Sequence, residues 1–117
     1  TALLGGEAPT IFGDGEQSRD FTYVGDVVSA NIRAMESKGV SGEVFNIACG
    51  RTTTVNKLLS TLQEIIGTSV EPRFEGERPG DVKHSYADVA KARGMLGVNS
   101  FVPLINALEI TDEAFRN

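Results

Sequence analysis

The sequence predicts a mixed α/β (α+β) fold of short strands and about four helices, in one unit spanning residues 1–117. Three observations predict it. Apolar residues recur at helical spacing in four places. Between them lie brief runs of strand-forming residues bounded by glycine or proline. No repeat, low-complexity stretch or linker divides the 117 residues, a length that suits one domain with a modest core.

Taken in order, Thr1 to Leu4 has the character of a helix end, stopped by Gly5-Gly6, with the helix itself expected to begin upstream. Pro9 to Phe12 is a short strand closed by the turn signal Gly13-Asp14-Gly15. Phe21 to Val24 is a second extended piece. Asp26 then stands where an N-cap belongs, ahead of Val28, Ile32 and Met35 on one helical face. Glu43 to Ala48 is the best strand candidate, ended by Gly50. The clearest helix follows, capped by Thr54, striped by Val55, Leu58, Leu59, Leu62, Ile65 and Ile66, and stopped by Gly67. Val70 to Phe74 is extended, and Pro72 makes it an edge strand. Asp88 caps a short helix carrying Val89, Ala92 and Leu96. A final helix from about Pro103 carries Leu104, Leu108, Thr111 and Phe115, with the proline tolerated in its first turn.

Composition narrows the function. Hydrophobic residues make up 40% and charged ones 23%, the balance of an ordinary soluble globular protein. Eleven basic against sixteen acidic residues give a net charge of −5. That argues against a nucleic-acid partner, which requires a basic face. It leaves room for a small phosphorylated ligand, which two or three local arginines can hold. No apolar run reaches the length of a membrane span, so no membrane role is expected. The lone Cys49 can form no internal disulfide, and a cytoplasmic setting is the default.

Two stretches could carry chemistry. In Gly13-Asp14-Gly15-Glu16-Gln17-Ser18-Arg19-Asp20, a guanidinium follows a glycine-marked turn and offers a rigid fork of donors that matches phosphate oxygens. The same Arg19 could instead pair with Asp20 or Asp14 on a solvated loop. In Arg78-Pro79-Gly80-Asp81, proline presets φ and glycine supplies a positive φ, so the turn can project Arg78 and Asp81 together. An arginine on phosphate and a carboxylate on ribose hydroxyls would suit a nucleotide; a surface turn stabilised by its own charges is the other reading. His84 lacks a partner at catalytic or metal spacing, Cys49 suits a small buried side chain, and Tyr23 and Tyr86 suit core or pocket wall. There is no Ser–His–Asp set, zinc-ligand cluster or Walker loop.

The run Ile11-Phe12-Gly13-Asp14-Gly15-x-Gln17-Ser18-Arg19-Asp20-Phe21-x-Tyr23-Val24-x-Asp26-Val27 resembles a signature of the extended short-chain dehydrogenase/reductases. Among these it is most similar to the nucleotide-sugar epimerases and dehydratases, of which UDP-glucose 4-epimerase is one type. The resemblance continues through Gly42-x-Val44-Phe45-Asn46-Ile47, Thr54-Val55, Arg78-Pro79-Gly80-Asp81 and Ala87-Asp88-x-x-Lys91-Ala92 to Leu96-Gly97. It covers nearly the whole chain in the right order. It implies that Arg19 and Arg78 bind the diphosphate of a nucleotide sugar and that Asp81 holds the ribose. Thr10 to Phe12 would lie along the base, with the Phe12 ring against it. Gly25 departs from the acidic residue many relatives carry, and is expected to loosen the start of its helix. Pro103 stands where relatives often place a serine cap.

The resemblance implies the C-terminal substrate-binding portion of such an enzyme, without the N-terminal Rossmann half. NAD is the family's cofactor, but its site needs a glycine-rich strand–turn–helix, and no Gly-x-x-Gly-x-x-Gly occurs here. Nor does a Tyr-x-x-x-Lys pair: four residues after Tyr23 comes Val27, and after Tyr86 comes Ala90. No cofactor is therefore expected in this chain and no catalysis by it alone. A nucleotide-diphosphate sugar and the Rossmann half are the expected partners. Two alternatives stand beside this: a stand-alone nucleotide-sugar binding module, and a structural protein that forms homo-oligomers through exposed apolar surface.

Overall fold

A computed structural model describes residues 1–98 and 101–116. Among the described residues, four short strands and four helices follow in the order β1 (Thr10–Phe12), β2 (Ser18–Arg19), α1 (Val24–Glu36), β3 (Thr53–Thr54), α2 (Val55–Ile66), β4 (Arg73–Glu75), α3 (Ala90–Leu96) and α4 (Leu104–Arg116). The expected mixed α/β class with four helices is what forms. β1 pairs parallel with β4, Ile11 opposite Phe74, and β2 pairs antiparallel with β3. α2 packs against α4, and α1 against α3.

The molecule is a slab of 50 × 35 × 17 Å. Its radius of gyration is 16.7 Å, against about 13 Å for a compact domain of this length. One or two helices fill that thickness, since a helix with its side chains is about 10–12 Å across. No large side chain among the described residues is fully buried. The tightest cluster is Ala30, Leu96 and Val98, flanked by Ala34, Val40, Phe45, Ile47 and Phe101.

The strongest local signals formed as expected. The Thr54 hydroxyl accepts from the Lys57 N–H at 3.1 Å, and Gly67 closes α2 with φ 83°. At α3 the expected cap shifts by one: Val89 is the N-cap and the helix begins at Ala90, whose N–H donates to the Asp88 carboxylate at 2.9 Å. Pro103 precedes α4 and gives its carbonyl to Ala107. Thr1 to Gly6 forms helical turns closed by Gly6, short of a full helix.

Several expectations need correction. Phe21–Val24 is no strand: pairing falls on Ser18–Arg19 instead, and Val24 opens α1. Asp26 is no N-cap, because α1 starts two residues earlier and the Asp26 carboxylate accepts from the Val102 N–H at 3.0 Å. Gly25 lies beneath Tyr23 at that start. The Tyr23 ring folds over it so closely that a Cβ there would lie 2.4 Å from the ring. The apolar stripe of α1 faces outward: Val28 and Met35 are 52% and 84% exposed, while Ala30 is buried.

Glu43–Ala48 alternates as a strand should, with Phe45 and Ile47 packed inward and Val44 79% exposed. Yet no ladder forms. The backbone of Val44 to Ala48 makes no hydrogen bond to any described residue. A strand needs a neighbour to complete its ladder, and within the slab no described segment lies alongside.

Candidate functional site

The turn after β1 brings the first candidate stretch round to β2. Gly13 and Gly15 carry it with φ 89° and 78°. The Gln17 amide donates back to the Phe12 carbonyl at 2.9 Å, so the end of β1 and the run into β2 are tied together. Ser18, at the start of β2, then binds the second stretch: its N–H donates to the Lys83 carbonyl at 2.9 Å, and its carbonyl accepts from the Ser85 N–H at 3.1 Å. Backbone pairing therefore places residues 82–85 directly beside 17–19.

That second stretch turns as the sequence predicts. The Asp81 N–H donates to the Arg78 carbonyl at 3.2 Å, with Pro79 and Gly80 (φ 83°) between them, the type II pattern. Phe12, Gly13, Gln17, Glu77, Asp81, Val82 and Lys83 line a small cleft of about 50 Å³. The Arg78 guanidinium stacks on the Phe12 ring, 3.9 Å from its centroid. Arg19 reaches across β2, donating to the carbonyls of Ser18 at 2.7 Å and Lys83 at 3.2 Å.

Of the five residues singled out, Phe12 and Asp81 line the cleft, Arg78 stacks on the Phe12 ring, and Arg19 meets the Lys83 carbonyl behind it. Thr10 instead lines a larger groove. The alternative pairing of Arg19 with Asp20 or Asp14 does not occur, because both carboxylates are otherwise engaged. Asp14 binds Lys83 at 2.6 Å, and Asp20 accepts from the N–H groups of Cys49, Gly50 and Arg51 at 3.0, 2.7 and 3.3 Å. Among the described residues neither Arg19 nor Arg78 has a carboxylate partner. Two guanidiniums thus remain available to an anion. Lys83 holds the exposed Asp14 carboxyl below the usual range, by hydrogen bond first.

Sequence reasoning missed Asp20, Gln17 and the Asp14–Lys83 pair. Asp20 was visible only as a charge near Arg19; its work at residues 49–51, thirty positions on, has no local signal. His84 serves structurally, its Nδ1 2.6 Å from the Ser18 hydroxyl. Cys49 is half-buried, and burial, then the nearby Asp20 charge, push its thiol up. Tyr86 is exposed, contrary to the expectation of core or wall, whereas Tyr23 lines the groove.

That groove, about 680 Å³ and almost wholly apolar, runs between α2 and α4 beside Thr1–Leu4 and β1. Leu58, Leu62, Leu104 and Leu108 face it across the two helices. Among the described residues no cluster could hold a metal ion, and no helix is long and apolar enough to cross a membrane.

The family described as NAD dependent epimerase/dehydratase matches residues 1–48. A UDP-glucose 4-epimerase of Mycolicibacterium smegmatis is 39% identical over 116 residues, which is 99% of this chain and 37% of that protein. The structure of a Thermotoga maritima UDP-glucose 4-epimerase with UDP-glucose superimposes with a TM-score of 0.91 at 49% identity, covering 97% of this chain and 36% of that one. A UDP-glucuronic acid 4-epimerase from Bacillus cereus, in complex with UDP-glucuronic acid and NAD, gives 0.92 at 35% identity, covering 97% and 37%. The chain therefore spans a little over a third of the length of these relatives.

Proposed function

This chain belongs to the NAD-dependent epimerase/dehydratase family, and from that premise we propose that it is the part which holds the nucleotide sugar. One observation carries the reading: two arginines without carboxylate partners, distant in sequence, stand with Phe12 and Asp81 about one cleft. Arg19 and Arg78 take the diphosphate, whose linked charges call for charge-assisted donors from two sides. Asp81 accepts from the ribose hydroxyls. The Phe12 ring gives the base a flat apolar surface, and the backbone of Thr10 to Phe12 gives it an edge. The relatives in complex with UDP-sugars favour uracil as that base.

NAD does not fit the residues present. A dinucleotide needs a glycine-rich turn opening a helix, and neither that motif nor Tyr-x-x-x-Lys occurs. Epimerisation or dehydration is accordingly work for a cofactor-binding portion like that of the longer relatives. Its docking surface is the unpaired Glu43–Ala48 segment with the outward stripe Val24, Val28, Ile32 and Met35 of α1. An open strand edge beside an apolar helix face suits the border of another sheet. A reducing cytoplasmic setting suits the free Cys49 thiol.

Calorimetry with UDP tests the reading. Micromolar binding is expected, weakened roughly tenfold or more by Arg19→Ala, as the loss of a charged hydrogen bond of about 1.5–3 kcal/mol implies. No binding by the unaltered chain refutes it. UDP-glucose with NAD should show no turnover by the chain alone; turnover would overturn the division of labour.

A further inference from the structure

We infer that Arg78 is a selectivity gate: in the free chain it covers the Phe12 ring, and a base reaches that ring only when its ligand also brings a diphosphate to draw the guanidinium away. The inference rests on the nucleotide reading above, and says which ligands that site refuses.

Three observations support it. The Arg78 guanidinium lies 3.9 Å from the Phe12 centroid, over one face of the ring. The cleft around Phe12 and Asp81 is about 50 Å³, whereas ligand pockets run to roughly 300–1,000 Å³. That cleft is too small for a base. The obstruction is also local. The 78–84 segment is fastened by the Lys83–Asp14 pair at 2.6 Å, the Ser18–Lys83 backbone bond and the Arg78–Asp81 turn, whereas the Arg78 side chain itself is exposed. Moving that one side chain uncovers the ring without unfastening the segment.

The competition then has a direction. A solvent-exposed guanidinium resting on a ring is held weakly, and a linked diphosphate offers it charge-assisted, bidentate bonds that are stronger. A nucleoside diphosphate exchanges the weak contact for the strong one and gains the ring. A nucleoside must displace Arg78 with nothing to receive it. The site thus favours ligands carrying base and diphosphate together, beyond what the phosphate contacts add by themselves.

UDP and uridine distinguish this from simple phosphate binding. Arg78→Ala should weaken UDP at least tenfold. The same change should tighten uridine by roughly two- to fivefold, the ratio corresponding to an exposed cation–π contact of about 0.5–1 kcal/mol. Phe12→Leu should abolish the gain in uridine affinity. Circular dichroism of each variant checks that the fold is kept. A second measurement needs no ligand: the Arg78 side-chain methylene protons should be shifted upfield by the ring in NMR spectra. That shift should vanish in Phe12→Leu and on adding UDP. Uridine binding unchanged or weakened in Arg78→Ala, or no ring-current shift on Arg78, overturns the gate while leaving UDP binding intact. Failure of the unaltered chain to bind UDP overturns the nucleotide reading and the gate with it.

Discussion

Replacing Gly15 by alanine should cost far more than the same change at Gly67, although both glycines have nearly the same φ. Gly15 has φ 78° and Gly67 φ 83°. In either place an L-residue in the left-handed region costs about 1–2 kcal/mol. Around Gly67 an added Cβ meets nothing within 4 Å. At Gly15 it would lie 2.0 Å from Asn56 Oδ1 and 2.5 Å from its Cγ. The Asn56 side chain would have to swing out and give up its bonds to the Asp14 carbonyl at 3.1 Å and the Glu16 carboxylate at 2.6 Å. Two such bonds, partly exposed, contribute about 1–2 kcal/mol together. The expected loss is therefore about 2–4 kcal/mol for Gly15→Ala, combining the backbone and hydrogen-bond terms. Urea unfolding followed by circular dichroism measures both variants. In an Asn56→Ala background the Gly15→Ala cost should fall toward that of Gly67→Ala, because the obstructing side chain is gone. Equal losses at the two glycines, or full additivity with Asn56→Ala, would refute the account.

Asp20→Ala should release the Cys49–Arg51 backbone that its carboxylate gathers, costing about 2–3 kcal/mol for charged hydrogen bonds. Cys49 should then react faster with a thiol reagent near neutral pH, since burial and the Asp20 charge both hold its thiol up; an unchanged rate would count against this. The Asp14 carboxyl is held below the usual range, so the stability it contributes is present above its unfolded value and fades as acid protonates it through the lower folded one. Its NMR titration midpoint should rise in Lys83→Met, and a midpoint that stays put would disprove the pairing. The unpaired Val44–Ala48 edge should make the chain self-associate as concentration rises, seen by light scattering. Val44→Lys should suppress that association, and a chain monomeric at every concentration would contradict the exposed edge.

How much was legible differs from element to element. α2 was read from end to end, because a threonine cap, a full apolar stripe and a terminal glycine are each local. The Arg78–Asp81 turn was read for the same reason. β2 and β3 escaped, being two residues each, too short for a period to show. Asp26 looked like a cap because caps are assigned by neighbours in sequence, yet its carboxylate was engaged seventy-six positions away by Val102. In α1 the apolar spacing was legible, but which face is covered was not. Periodicity marks a face without saying what covers it, and a slab 17 Å thick cannot cover every one. The candidate site was legible as two arginine-bearing stretches, but their adjacency was not.

The sequence by itself determined the helices with complete local signals, the two glycine-marked turns and the family likeness carried by ordered motifs. Only the tertiary structure decided that the 17–19 and 82–85 segments lie side by side, that Arg78 rests on Phe12, and that Asp14 and Asp20 are committed elsewhere, leaving both arginines free of them. The reason is physical: caps and turns depend on neighbours a few residues apart. Which charges end up paired depends on partners that only chain folding brings within hydrogen-bond reach.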